Sequence, residues 1–95
     1  MARYIMVGRY SPEALKGISA QRTDQAVALV AKFGGKLEAA YAMLGKNDLL
    51  LVADYPDVEH AMQASVALAK ATGIAFNTSP AVSVAEFDKL MAGIV

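Results

Sequence analysis

A chain of 95 residues with nine basic residues, nine acidic residues and no cysteine has a net charge of zero. Balanced charge leaves no basic footprint for nucleic acid, and the lack of cysteine excludes disulfides, thiolate metal sites and thiol chemistry. The hydrophobic share of 56% is high, since ~45–50% is usual. We therefore expect the surplus apolar surface to be covered in an oligomer.

Length argues for one domain over residues 1–95. We expect no signal peptide, because no charged stretch followed by a long apolar run opens the chain. We expect no membrane partner, because no apolar run approaches the ~20 residues of a span. The default compartment is the cytoplasm. No glycine-rich loop precedes a Lys-Ser or Lys-Thr pair, and no cofactor is expected.

The first third of the chain predicts a strand and two helices. Residues 3–10 are rich in strand formers, and Gly8 marks a bulge or a close backbone approach. Ser11, Pro12 and Glu13 are typical of a short helical turn that then breaks. A longer helix is predicted to start near residues 23–24 and to end at Gly34 and Gly35.

Residues 37–55 predict a β-hairpin that turns at residues 45–48. Gly45 and Asn47 are residues that take positive φ at low cost, as tight hairpin turns require. The second arm, residues 49–53, is apolar at consecutive positions rather than at alternate ones. This pattern predicts a strand that is buried on both faces.

The remaining chain predicts helix, strand and helix. Asp57 is expected to cap a helix whose packing stripe is Val58, Ala61, Met62, Ser65 and Ala69. Residues 74–82 form the last strand, at a sheet edge because Pro80 cannot donate to a ladder. Ser83 and Glu86 form a capping box. The terminal helix carries one apolar face, Phe87, Leu90, Met91 and Ile94, expected to pack on the body of the protein or on a neighbouring subunit.

The order β-α-β-β-α-β with a C-terminal helix predicts an α+β, ferredoxin-like fold with a four-stranded antiparallel sheet and helices on one face. The other face is apolar too: Ile5 and Val7 alternate with Tyr4 and Met6 in the first strand. A bare apolar face on a small domain predicts a partner. The closed, symmetric solution is a homodimer with its sheets face to face.

Few residues offer chemistry. His60 is the only histidine and is expected at the surface; without a second histidine or a cysteine no metal site is expected. The tyrosines, Tyr10 and Tyr41 among them, serve either packing or a ligand pocket lined by rings. Asp48 is expected to accept hydrogen bonds from neighbouring backbone N–H groups of the turn, and the rival view makes it a pocket acid working with Tyr41. The ligand-binding candidates are therefore Tyr10, Tyr41, Asp48 and His60.

Three arginines are candidate anion contacts: Arg3, Arg9 and Arg22. Antiparallel pairing of the first strand with the second hairpin strand brings Arg3 near Asp54, which favours an ordinary surface ion pair. Ferredoxin-like domains that bind RNA stack bases on aromatic side chains of the central strands. Residues 49–52 carry no aromatic ring, so RNA binding is set aside.

Several short motifs in this order resemble the GYD domain family. They are residues 34–38, Tyr41, Gly45 and Asp48 ahead of a Leu/Val strand that ends at residues 56–57, with Tyr4, residues 11–17 and residues 82–91. The family is named for a Gly-Tyr-Asp signature at the hairpin. Gly45 and Asp48 match it, whereas Asn47 stands where the tyrosine would fall, so any chemical role of that tyrosine is absent here.

The resemblance implies a ferredoxin-like subunit of the dimeric α/β-barrel group and implies no activity, because the family is functionally uncharacterised. Relatives in the wider group include cofactor-free monooxygenases and isomerases with pockets between the sheet and the helices. Two functions follow as hypotheses. One is a homo-oligomeric module that binds a small molecule or partner without catalysis. The other is a cofactor-free enzyme, monooxygenase- or isomerase-like, acting on a small apolar substrate in such a pocket.

Overall fold

The computed structural model describes residues 1–94. Its elements in chain order are β1 (Ala2–Arg9), α1 (Pro12–Lys16), α2 (Ala20–Lys32), β2 (Lys36–Ala42), β3 (Leu49–Tyr55), α3 (Val58–Thr72), β4 (Ala75–Ala81) and α4 (Val84–Ala92). The strands form one antiparallel sheet in the order β2-β3-β1-β4. This confirms the predicted α+β fold with its four-stranded antiparallel sheet, and it confirms the edge position of the strand that contains Pro80.

The core lies between one face of the sheet and the helices α2 and α3. Alternate residues of the two central strands are buried there, because successive side chains of a strand point to opposite faces. β1 and β3 contribute Tyr4, Met6, Leu51, Ala53 and Tyr55. The helices contribute Val30, Ala61, Ala64 and Leu68. The rings of Tyr4 and Tyr55 meet edge to face, with centroids 5.7 Å apart, which is a favourable aromatic geometry.

The opposite face of the sheet is apolar at its centre. Ile5 and Val7 of β1 lie beside Leu50 and Val52 of β3 in the register of the two strands, and all four are only half-buried. We predicted that β3 is buried on both faces. Within the single chain this is confirmed only for the face that the helices cover. The other side keeps these four apolar side chains only partly covered.

Two helix predictions need correction. α2 begins at Ala20 rather than near residues 23–24, because the side chain of Ser19 accepts a hydrogen bond from the N–H of Arg22 at 3.1 Å and caps the helix earlier. The predicted stripe of α3 is also displaced. Ala61 is buried, but Val58 and Met62 are exposed at 51% and 63%, and the face on the sheet is Ala61, Ala64 and Leu68. Small alanines on that face let the helix approach the strands closely.

The hairpin connection is longer than the sequence suggests. It spans residues 43–48, and only Gly45 in it takes a positive φ, of 121°. Asn47 does not take a positive φ, so the prediction of a tight turn at residues 45–48 is wrong. Gly8 marks a close approach, since a Cβ there would lie 2.7 Å from Cγ2 of Ile74. No register shift interrupts the ladders of β1, and the sheet's bulge lies instead in β2, between Leu37 and Ala39.

The C-terminal helix α4 stands away from the core. The Ser83 side chain accepts a hydrogen bond from the N–H of Glu86 at 3.1 Å and caps it. Every residue from 82 to 94 is exposed, the apolar stripe included, so packing on the body of the same chain is not what occurs. The radius of gyration of 14.4 Å exceeds the roughly 12 Å of a compact chain of this length. Within residues 1–94 no helix combines the length and the apolarity needed to cross a bilayer.

Tyr55 makes the stability of the fold sensitive to alkaline pH. Its side chain is fully buried and its hydroxyl donates to Sδ of Met6 at 3.5 Å. Burial raises the pKa of Tyr55 to about 12, above the value of about 10 in an unfolded chain. A raised pKa contributes stability that is complete below pH 10 and is lost as the pH rises towards 12.

We expect Tyr55→Phe to lose less stability than the wild type between pH 8 and pH 11, because phenylalanine has no proton to release. Urea unfolding at the two pH values measures this difference. Equal declines in Tyr55→Phe and the wild type would contradict the assignment.

Candidate functional site

A pocket of about 350 Å³ opens between the sheet, the N-terminal half of α2 and the C-terminal half of α3. Such a volume lies at the small end of the range for ligand sites, about 300–1,000 Å³. Its walls are mainly apolar and come mainly from the helices α2 and α3 and the strands β2, β3 and β4. The apolar lining residues are Ile18, Ala26, Leu37, Ala40, Ala42, Leu49, Leu51, Leu68, Ile74 and Phe76.

The polar groups of the pocket are few. Tyr10, Arg22, Thr23, Tyr41 and Thr72 contribute to the lining. The hydroxyl of Thr72 donates to the carbonyl of Leu68 at 2.6 Å and accepts from the N–H of Ile74 at 3.2 Å. The hydroxyl of Thr23 donates to the carbonyl of Ser19 at 3.3 Å. Both threonine protons are therefore used within the helices, and the cation of Arg22 is the distinctive polar group.

Tyr10 and Arg22 lie together at this pocket. Tyr10 follows the end of β1, and Arg22 lies in the first turn of α2. The guanidinium carbon of Arg22 is 5.5 Å from the centroid of the Tyr10 ring, within cation–π range. Nη1 of Arg22 also donates to the carbonyl of Ala14 in α1. These two contacts hold the guanidinium between α1, α2 and the end of β1.

Asp48 holds the end of β1 in place from outside the pocket lining. Its carboxylate Oδ2 accepts from the N–H of Tyr10 at 2.9 Å, and its own N–H donates to the carbonyl of Gly8 at 2.9 Å. The predicted acceptor role is found, but the donor is the residue after β1 rather than a neighbour in the turn. Asp48 thus joins the hairpin connection to the strand beside it and positions the backbone of Tyr10. It is not among the residues that line the pocket with Tyr41.

Tyr41 and His60 occupy different surroundings. Tyr41 lies at the rim of the pocket on β2, but it pairs with Leu50, so by register its side chain belongs to the opposite face of the sheet. His60 lies in the first turn of α3, with its side chain 42% exposed and Nδ1 against Oδ1 of Asp57. Asp57 caps that helix, and its hydrogen bond with His60 lowers the pKa of the Asp57 carboxyl. The structure thus places Tyr10 in the pocket lining and Tyr41 at the rim, with the Tyr41 side chain on the opposite face of the sheet. Asp48 and His60 lie outside the lining.

A second depression, of about 650 Å³, lies at the base of α4 between Met1, Arg3, Asp54, Pro80 and Glu86. Arg3 forms two hydrogen bonds with the Asp54 carboxylate, at 2.9 and 3.1 Å, as the strand pairing predicts. These bonds hold the pKa of the Asp54 carboxyl below its usual value. Because the charges of Arg3 and Asp54 neutralise each other, this open depression offers a charged ligand no unpaired partner among these two residues. It is therefore a weaker candidate for a ligand site than the apolar pocket.

No cluster of three histidine, aspartate or glutamate side chains suited to a metal ion occurs in the part of the chain that the structure describes. Sequence reasoning found Tyr10, Tyr41 and Arg22 but missed the far wall, Leu68, Thr72, Ile74 and Phe76. Those residues resemble ordinary core positions, and the period of β4 alone does not reveal which of its faces borders a cavity. The position of Arg22 could have been found from Ser19, because a helix cap at Ser19 places Arg22 in the first turn of α2.

We expect Asp48→Asn to cost less than about 1 kcal/mol of unfolding free energy, since the amide oxygen still accepts from Tyr10. Asp48→Ala should cost about 1 kcal/mol or more, because it leaves that N–H without its acceptor. Urea melts measure both. Asp24→Ala is the control, an exposed acid of α2 whose loss should stay within about 0.5 kcal/mol. Equal effects of the two Asp48 variants would rule out the acceptor role.

Comparison with known proteins places this architecture in a family. A search of curated proteins gave no match. The family model described as the GYD domain matches residues 4–91, from the first buried tyrosine of β1 into the last turn of α4. The match includes the hairpin connection with Gly45 and Asp48 and most of the pocket's surroundings. The chain belongs to the GYD domain family.

Proposed function

We propose that the protein is a homo-oligomeric module that binds a small molecule in the pocket between sheet and helices, without catalysing a reaction. The observation that carries this proposal is the lining of the pocket. Apolar walls surround it, and Arg22 is the one charged side chain among the described residues of its lining. Such a site has the apolar surface and the few polar groups that small-molecule sites use for affinity and orientation.

The lining supports binding more than it supports acid–base chemistry. No aspartate, glutamate or histidine is among the described residues that line the pocket. Asp48 is engaged with the backbone of Tyr10, and His60 is engaged with Asp57. General acid–base catalysis requires a titratable group within reach of the reacting atoms. A cofactor-free enzyme would have to rely on the Tyr10 hydroxyl, and turnover that disappears in Tyr10→Phe would favour that alternative.

The homo-oligomer is supported by two apolar surfaces that the single chain leaves uncovered. One is the bare sheet face, defined by Ile5, Val7, Leu50 and Val52. The other is the stripe of α4, where Phe87 and Leu90 are 49% and 57% exposed. A surface of this kind on a small domain is expected to meet a partner. A second copy is the simplest partner, because the same face is self-complementary about a two-fold axis.

The size of the sheet face gives α4 a part in this assembly. Four strands about 4.8 Å apart and about seven residues long present roughly 450 Å². A standard interface takes about 800 Å² from each partner. The nine-residue α4 adds a helical surface about 14 Å long and about 10 Å wide. We therefore propose that α4 of each subunit extends the interface by packing its stripe on the other subunit.

The pocket is tested with N-phenyl-1-naphthylamine, a neutral dye whose fluorescence rises in apolar surroundings. We expect saturable binding to the wild type and about tenfold weaker binding to Ala40→Phe, because Ala40 lines the pocket and a phenyl ring would fill it. Ala28→Phe is the matched control, since Ala28 is an exposed residue of α2 outside the lining. Equally tight binding of the dye to all three proteins would overturn the binding function.

The assembly is tested on two neighbouring leucines that point to opposite faces of β3. Light scattering of the wild type should give at least twice the 10.0 kDa monomer mass. Leu50→Asp should yield a folded monomer, because Leu50 lies on the bare sheet face. Leu51→Asp should unfold the chain, because Leu51 is 4% exposed in the core and an unpaired buried charge is costly. A monomeric wild type at micromolar concentration would refute the assembly.

A further inference from the structure

We infer that the ligand of the pocket is an amphipathic anion: a carboxylate on a small apolar ring system, anchored by Arg22. This inference rests on the proposed binding function and adds the chemical class of the ligand. It follows from the placement of Arg22, from the state of its charge and from the character of the remaining walls.

Arg22 is held in position before any ligand arrives. Its Nη1 donates to the carbonyl of Ala14, and its guanidinium lies over the ring of Tyr10. Tyr10 is in turn fixed through its backbone by Asp48. A side chain immobilised in this way loses little further conformational entropy on binding, which favours affinity. Tyr10 is thus a positioning residue for the cation.

The charge of Arg22 has no acidic partner in the part of the chain that the structure describes. Among residues 1–94, no carboxylate oxygen lies within 4.0 Å of its nitrogens, in contrast to the paired Arg3 and Asp54. Arg22 is half-buried, and a partly desolvated cation is stabilised by an anion that pairs with it. An arginine carries five N–H donors, and the hydrogen bonds of the described chain use only Nη1. The remaining donors suit the two oxygens of a carboxylate.

The rest of the pocket selects the apolar part of the ligand. Leu51, Leu68, Ile74 and Phe76 line it, and the hydroxyl protons of Thr23 and Thr72 are already donated to backbone carbonyls. A ligand charged at both ends would leave one charge unpaired among these side chains. The volume of about 350 Å³ limits the apolar body to a small ring system. One anionic end and one apolar end satisfy both parts of the site.

The test compares 1-naphthylacetate with 1-naphthylacetamide, which share ring and size but differ in charge, by isothermal titration calorimetry. We expect the wild type to bind the carboxylate at least about tenfold more tightly than the amide. Arg22→Gln should remove this preference by weakening the carboxylate alone. Arg22→Lys should retain part of it, because lysine keeps the charge but lacks the planar fork. Arg9→Gln is the control, an exposed arginine outside the pocket lining.

A variant that fails to fold does not decide the matter, so the wild type provides a second measurement. Raising the salt concentration from 50 to 500 mM should weaken the carboxylate and leave the amide unchanged. Equal affinities for the two compounds, or a preference that survives Arg22→Gln, would overturn the anionic class while the binding function stands. Binding of the neutral dye without binding of the carboxylate would have the same meaning. If neither the dye nor the two compounds bind, both the function and the ligand class fall.

Discussion

The antiparallel pairing of β1 with β3 is the constraint on which the rest of the structure depends. It sets Met6 opposite Leu51 and Ile5 opposite Val52, so that one face of the sheet is core and the other is bare. A slip by one residue would move every side chain of a strand to the other face. Polar contacts at both ends oppose such a slip: Arg3 binds Asp54 at one end, and Asp48 binds the backbones of Gly8 and Tyr10 at the other.

The same pairing separates the two proposed surfaces of the protein. The pocket lies on the helix side of the sheet, whereas Leu50 and Val52 lie on the opposite side. Ligand binding and assembly would therefore use different faces of the same strands. A substitution such as Leu50→Asp can then report on assembly without filling the pocket, and Ala40→Phe can fill the pocket without changing the bare sheet face.

Asp48 links the hairpin connection, residues 43–48, to the pocket, although Asp48 itself does not line the pocket. Its carboxylate positions the N–H of Tyr10, and the ring of Tyr10 supports the guanidinium of Arg22. The visible role of this acid is to accept a backbone hydrogen bond. Asn47 lies beside it in the connection but not among the residues that line the pocket.

Residues close in sequence and the periods of strands and helices were sufficient for the order of elements and for the capping roles of Ser11, Asp57 and Ser83. The antiparallel sheet and the pairing of Arg3 with Asp54, which are 51 residues apart, followed from the ferredoxin-like plan that this order predicts. The start of α2, the buried face of α3 and the length of the hairpin connection were not determined in this way, because competing caps and stripes differ little in local energy. The pocket was beyond sequence reasoning for a related reason. Its walls come from α2, α3, β2, β3 and β4, and only the packing of these elements decides which apolar residues fill the core and which leave a cavity beside Arg22.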